Sequence, residues 1–352
     1  MSVTTRVPAR VRATTAAGWC AVVAAALLLS CAVGVGVGAA DLSVVTVVDS
    51  VAGRLGIGSG TDLLTEHIVV DLRLPRVIGA ALVGAGLALC GAVLQSLTGN
   101  ALADPYLLGM SGGASLGAVL ALTTGIGIGG LFGAATVSLA AFAAAVASLL
   151  VVFLISTSRS GALVPGRLVL AGIAIGQFTA AVTSALVLLG DRDAAHRVLQ
   201  WTLGSVAGIR WPGVATVAVV VAVTTVVVLS HIRVLDSFAF GQRAAASLGT
   251  DVERSRWVLY GLVSLCTAAL VAQAGVIGFV GLVVPHAARM LVGPLHARLL
   301  PIVALLGALL LVWADIAART VMPGRELPLS IVTAIVGVPM FVWLIRRRGA
   351  RA

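Results

Sequence analysis

The chain has 352 residues, 60% of them hydrophobic and only 10% charged, whereas a soluble domain carries roughly 25% charged residues. Most of its surface must therefore be solvated by lipid or by its own helices, which argues for a polytopic membrane protein. All 23 basic residues are arginine, so the phosphate-binding loop GxxxxGK[ST], which needs its lysine, is excluded.

The net charge of +10 could suggest a nucleic-acid partner, but its distribution argues otherwise. With Met1 inside and about ten spans, fifteen of the 23 arginines and four of the 13 acids fall on the inner side. Arg6, Arg10 and Arg12 at one end and Arg346, Arg347, Arg348 and Arg351 at the other show this most clearly. That is the positive-inside pattern, which orients a membrane protein; no nucleic acid is implied.

In chain order, residues 1–12 read as a cytoplasmic tail. Ala13 to Ala40 has arginines ahead of an apolar core, and Leu28-Leu29-Ser30-Cys31 resembles a lipoprotein cleavage box. A run of about 20 apolar residues can span, however, and many further spans follow, so we read an uncleaved first helix. Asp41 to Asp71 is polar and reads as an external loop or short surface helix. Val77 to Leu97 is the second span, with Gly79, Gly84, Gly86 and Gly91, small residues that let helices approach closely in lipid. Asn100 to Pro105 turns the chain and Tyr106 to Thr123 returns. Gly125 to Gly130 reads as a loop, because neither the strand nor the acidic residue of a nucleotide-binding fold accompanies it.

Phe132 to Ser156 and Arg167 to Leu189 are the fourth and fifth spans, with Ser158 to Gly166 between them inside. Asp191 to Trp211 is an external amphipathic stretch whose Trp201 and Trp211 suit a membrane interface. Pro212 to Ser230 completes spans 1–6, assigned overall to residues 13–231. Residues 232–256 then form the longest stretch of mixed charge, in which Gly241 to Gly249 reads as a short amphipathic helix with a glycine stop. Exposed on one face, it could dock a soluble partner. Spans 7–10, within residues 257–345, are Val258 to Gly275, Phe279 to Met290, Leu299 to Val312 and Leu329 to Ile345. Pro285 predicts a break or kink in the eighth, and residues 346–352 are a basic tail. The whole is one transmembrane domain, all-α.

Ionisable groups inside spans are costly and therefore functional candidates. Asp315 and Arg319 lie one helical turn apart and can form an ion pair. Arg73 and Arg76 flank Pro75 at the outer mouth of the second span. With Arg319 they would make a positive patch for carboxylates of a docking protein, since the planar arginine fork meets a carboxylate with two hydrogen bonds. Their bland alternative is anchoring at the interface. Gln95, Asn100 and Asp104 cluster at an inner turn and read as helix caps. The five histidines show no ligand spacing, so no metal site is expected. The four cysteines, Cys20, Cys31, Cys90 and Cys266, lack CxxC spacing and read as packing residues. No nucleophile with a positioned base is present, so no catalytic role is expected.

RLPRVIGAALVGAGLALCGAVLQSLTGNALADPYLLGMSGGASLGA (Arg73 to Ala118), FGQRAAASLG, GVIGFVGLVVPHAARMLVGPLHARLLP, WADIAAR and ELPLSIVTAIVGVPMF occur in this order. Together, over about Leu72 to Arg348, they resemble the FecCD-type (BtuC-like) permeases, membrane subunits of type II ABC importers for ferric siderophores, haem and cobalamin. The resemblance implies about ten helices, a second copy or close paralogue, two ATPase subunits inside and a substrate-binding protein outside. It gives the ATPase-coupling role to Gly241, Gln242, Arg243, Ala244, Ala245, Ala246, Ser247, Leu248 and Gly249, and the binding-protein docking role to Arg73, Arg76 and Arg319. The family's inner gate, often of small hydroxylated residues, would fall at Pro165 and Gly166; that departure, and Ala101 where the family usually has proline, leave gate and turn chemistry open. No cofactor is expected on the chain itself, with ATP and magnesium in the partner ATPases. A ferric siderophore is the first cargo implied, cobalamin or haem the alternative. A gradient-driven secondary transporter would need buried acids midway through spans, and only Asp315 comes near.

Overall fold

Lipid offers no hydrogen bonds to a bare backbone, so a spanning chain must satisfy its amides internally, and helices do so within each segment. The computed structural model describes residues 9–38, 42–57, 61–124, 133–159, 161–190, 192–238, 241–247, 251–322 and 324–349. Gly125 to Gly130, Leu248, Gly249 and the ends of both tails lie outside the described residues. In order, the helices are α1 (Ala9–Gly36), α2 (Val44–Arg54), α3 (Leu63–Glu66), α4 (Leu74–Thr98), α5 (Met110–Thr123), α6 (Gly133–Ser156), α7 (Pro165–Leu189) and α8 (Arg192–Thr202). They continue as α9 (Trp211–Ser230), α10 (Ile232–Phe238), α11 (Gln242–Ser247), α12 (Val252–Ala274), α13 (Val280–Val292), α14 (His296–Thr320) and α15 (Leu329–Gly349).

Among the described residues, seven segments are long and apolar enough to cross a membrane by length and composition, in α1, α4, α6, α7, α9, α12 and α14. Three shorter apolar helices, in α5, α13 and α15, complete the set of ten expected. The polar stretch before α4 forms α2 and α3, and a π-helical turn, His67–Arg73, runs from α3 into α4 without a break.

The bundle is built around α4, which packs against α14, α13, α12 and α9. Its glycines explain how so many helices reach it. A Cβ on Gly84 would run into the carbonyl oxygen of Gly307 on α14, and one on Gly91 into that of Gly281 on α13. Backbones therefore touch directly, the route by which helices gain dispersion contact where lipid supplies no hydrophobic drive. The pairings Arg76 with Asp315, Gly84 with Gly307 and Ser96 with His296 align α4 and α14 antiparallel along almost their whole length. A second group forms around α5, which packs on α6 and α7.

Several expectations are corrected. The ninth span extends beyond Leu299–Val312 at both ends, as α14 from His296 to Thr320, so the Asp315–Arg319 pair lies within one continuous helix. The segment after α9 contains two helices, α10 as well as the expected one, which is described as Gln242–Ser247. At Pro285 the helix does not break, and α13 runs on from Val280 to Val292. Proline removes the amide that would bond to the carbonyl four residues earlier, which is that of Gly281. Gln95 Nε2 supplies the missing donor, bonding to Gly281 O and Leu282 O at 3.2 Å each, while its Oε1 accepts from Arg289. Gln95 thus repairs a neighbouring helix instead of capping its own. Asp104 does cap, accepting from the Tyr106 amide at the start of a 3₁₀ turn, whereas Asn100 accepts from the Leu102 amide within the turn after α4 and caps no helix.

Between α12 and α13 the chain is non-helical from Gly275 to Phe279, yet Ile277 is fully buried. Tyr106, in a 3₁₀ turn before α5, accepts the Ile277 N–H on its hydroxyl at 3.1 Å. Replacing Tyr106 with Phe leaves that amide buried and unpaired, at a cost of about 1–3 kcal/mol. A lowered thermal midpoint in detergent is expected for Y106F; an unchanged midpoint would show that another group serves the amide.

Candidate functional site at the two faces of the bundle

At the face where α4 begins, three arginines and two carboxylates converge. Asp315 is almost fully buried, with 1% of its surface exposed, and an unpaired charge there would be prohibitive. Arg76 Nη2 lies 2.9 Å from Asp315 Oδ1, and Arg319 Nε 3.2 Å from Asp315 Oδ2. The expected Asp315–Arg319 pair is present, and Arg76 joins it. Arg76 also forms a two-pronged contact with Glu326, Nη1 to Oε1 at 2.8 Å and Nη2 to Oε2 at 2.9 Å. Half of the Glu326 side chain is exposed. Its carboxyl is held below the usual glutamate range, chiefly by the Arg76 hydrogen bond.

The other two arginines face inward. Arg73 is buried and its Nη1 donates to Val35 O at 2.9 Å and Gly36 O at 2.8 Å. Arg319 donates from Nη1 to Val37 O at 3.0 Å and from Nη2 to Gly34 O at 2.9 Å. These are the carbonyls that the end of α1 leaves without helical partners, and a cation suits the negative end of a helix dipole. Arg73, Arg76 and Arg319 are therefore brought together as expected, but two of the three are turned into the fold. Beside them an open cavity of about 560 Å³ is lined by His196, Gln200, Arg325 and Glu326.

The opposite face carries α10 and α11. Ala245, on α11, is buried, and Gly241 precedes the helix with φ +88°, a left-handed conformation that glycine adopts freely. Downstream, Asp251 caps α12 by accepting from Arg254 N. Glu253 Oε1 accepts from Leu163 N at 3.0 Å, and Trp257 Nε1 donates to Gly161 O at 3.2 Å. The loop ahead of Pro165 and Gly166, where α7 starts, is thus tied to the chain just after α11. A Cβ on Gly166 would meet nothing within 4 Å.

Also on this face, His296 Nδ1 lies 2.6 Å from Asp236 Oδ1 on α10, and Ser96 Oγ lies 2.7 Å from His296 Nε2. The residue patterns considered above single out neither Asp236 nor Ser96, because their partners are far away in sequence. Among the described residues no group of three or more His, Cys, Asp or Glu is placed to hold a metal ion.

The comparisons agree with this architecture. Residues 26–347 match the FecCD transport family. The chain is 41% identical over 295 residues to the cobalamin import system permease protein of Halobacterium salinarum, covering 83% of this chain and 77% of that one. It is 38% identical over 294 residues to the Fe(3+) dicitrate transport system permease protein of Escherichia coli, covering 82% and 86%. A solved structure described as an inward-facing metal-chelate type ABC transporter superposes with a TM-score of 0.80 at 29% identity, over 93% of this chain and 98% of that one. With a family match over residues 26–347 and relatives above 30% identity across more than four fifths of its length, the chain belongs to the FecCD transport family.

Proposed function

We propose that this ABC importer permease carries a bulky metal chelate inward by alternating access, driven by separate ATPase subunits and supplied by an external binding protein. The family match over residues 26–347 is the observation that carries the reading. Its own composition supports it, since a chain without lysine has no GxxxxGK[ST] loop and needs an engine elsewhere. ATP and magnesium then belong to two partner subunits seated on α11, around Gly241 to Gly249. A second copy or close paralogue completes the conduit. The arginine distribution supports placing both termini and α11 in the cytoplasm, which sets the Arg76 face outside.

At that outer face the docking role concentrates on Arg76. Arg73 and Arg319 spend their donors on α1 and Asp315, which fixes the ground on which Arg76 stands. Arg76 meets Glu326 at the surface, so an incoming carboxylate of the binding protein can take the place of Glu326 on its fork. Arg–carboxylate exchange of this kind gives register and specificity without requiring a deep pocket. Start-of-α7 residues Pro165 and Gly166 remain the proposed gate, next to the loop that Glu253 and Trp257 hold.

A ferric siderophore is the cargo we propose first; a cobalamin reading is favoured by the 41% identity to the cobalamin permease. Uptake into membrane vesicles carrying the complex tests both. Labelled chelate should enter only with ATP and should continue after the proton gradient is collapsed; the reverse pattern would reject the ATP-driven reading. Competition between labelled cyanocobalamin and a ferric hydroxamate then separates the cargoes.

The docking assignment is tested by affinity for the binding protein. Arg76→Glu should weaken docking about ten-fold or more, a loss of roughly 1.4 kcal/mol, whereas Glu326→Gln should tighten it by releasing the fork. Equal affinities in both variants and the wild type would contradict the exchange.

A further inference from the structure

Helices α4 and α14 are joined at three levels. At the Arg76 face the ion pair of Arg76 with Asp315 closes one end, at 2.9 Å. Midway, the backbones meet at Gly84 and Gly307, with no side chain between them to rearrange. At the opposite face Ser96 Oγ and His296 Nε2 meet at 2.7 Å. A pair fastened at both ends and touching at the centre moves as one body, because sliding would unpair buried charges and open a packed contact.

The far end of this body is also fixed to α10. Asp236 Oδ1 accepts the backbone N–H of His296 at 2.9 Å and meets its Nδ1 at 2.6 Å. The carboxylate therefore caps the N-terminus of α14 from another element, a favourable place for negative charge. His296 is 4% exposed, so a ring nitrogen that lost either partner would be left buried and unsatisfied. On its other side α10 is seated by Leu235, fully buried, and by Phe238, over whose ring the Arg256 guanidinium lies 6.0 Å from the centroid. The helix immediately following is α11.

We infer that α4 and α14 form a strut between the two faces, and that His296 is the positioning residue that fastens this strut, through Asp236, to the segment bearing α11. The inference rests on the reading of the chain as an ATP-driven permease. Binding-protein contact at Arg76 moves α4 and α14 together, and the Ser96–His296–Asp236 chain delivers that motion to α10 and α11. The fastening works by hydrogen bonding, so a side chain that keeps the hydroxyl at position 96 preserves it.

The test uses the full chain assembled with its ATPase and binding protein in lipid nanodiscs, with cyanocobalamin and a ferric hydroxamate each supplied as cargo. The quantity read is the ratio of ATP hydrolysis with and without binding protein. For Ser96→Ala and His296→Phe the ratio should fall about five-fold or more, the lower range of allosteric coupling. Ser96→Thr should keep it. Should His296→Phe fail to assemble, Ser96→Ala and Ser96→Thr decide alone, because neither changes the packing by more than a small group. A wild-type ratio in Ser96→Ala, in a complex that still imports with ATP, overturns the strut and leaves the permease reading intact. A wild-type complex with neither ATP-driven uptake nor stimulation overturns the permease reading itself.

Discussion

The architecture depends on the direct meeting of backbones along α4. A membrane helix that presented leucines on every side would hold its neighbours apart at side-chain distance, and lipid could replace any of them at little cost. At Gly84 and Gly91 there is nothing to hold Gly307 and Gly281 away. Because α14 and α13 are set against α4 so closely, polar groups at their ends come within bonding reach: Asp315 of Arg76 at one face, and Gln95 of the Gly281 carbonyl toward the other. Apolar packing comes first and electrostatics follows from it. The buried ions are not what gathers the helices, since a buried pair returns little beyond the cost of its own desolvation.

The arginine cluster shows how one residue type divides its work. Arg73 and Arg319 act as caps for α1, tying the first helix to the central pair through four carbonyls, Gly34 to Val37. Arg76 bridges a buried carboxylate and an exposed one. Lysine, with a single charged nitrogen, could not serve both Asp315 and Glu326 at once in this way. That geometric demand gives a reason for arginine at position 76 independent of the composition of the chain.

Much of this was legible in the sequence where signals are local. The ten helices followed from apolar run lengths, the Asp315–Arg319 pair from four-residue spacing, and the turn after α4 from Asn100 and Asp104. What escaped was set by contacts across the bundle. Arg76 and Asp315 are 239 positions apart, Ser96 and His296 200, and no periodicity links them. At Val35 and Gly36 Arg73 meets backbone carbonyls, which carry no signature in a string of residue types. Pro285 predicts a break or kink because proline removes an amide; that Gln95, on another helix, restores the lost bond is a fact of packing.

The buried strap from Gly275 to Phe279 has a mechanical meaning. An unbroken helix fixes the rotation of one end relative to the other, but a non-helical link does not, so α12 and α13 need not share an axis despite being consecutive in the chain. Phe279, at φ +68°, holds a conformation disfavoured for a bulky residue, and Gly337 on α15 leaves the room it needs. The link thus lets α12 and α13 each settle against α4 at its own angle, α12 reaching α6 and α9 as well and α13 reaching α14. Tyr106 holds this joint in place through the Ile277 amide.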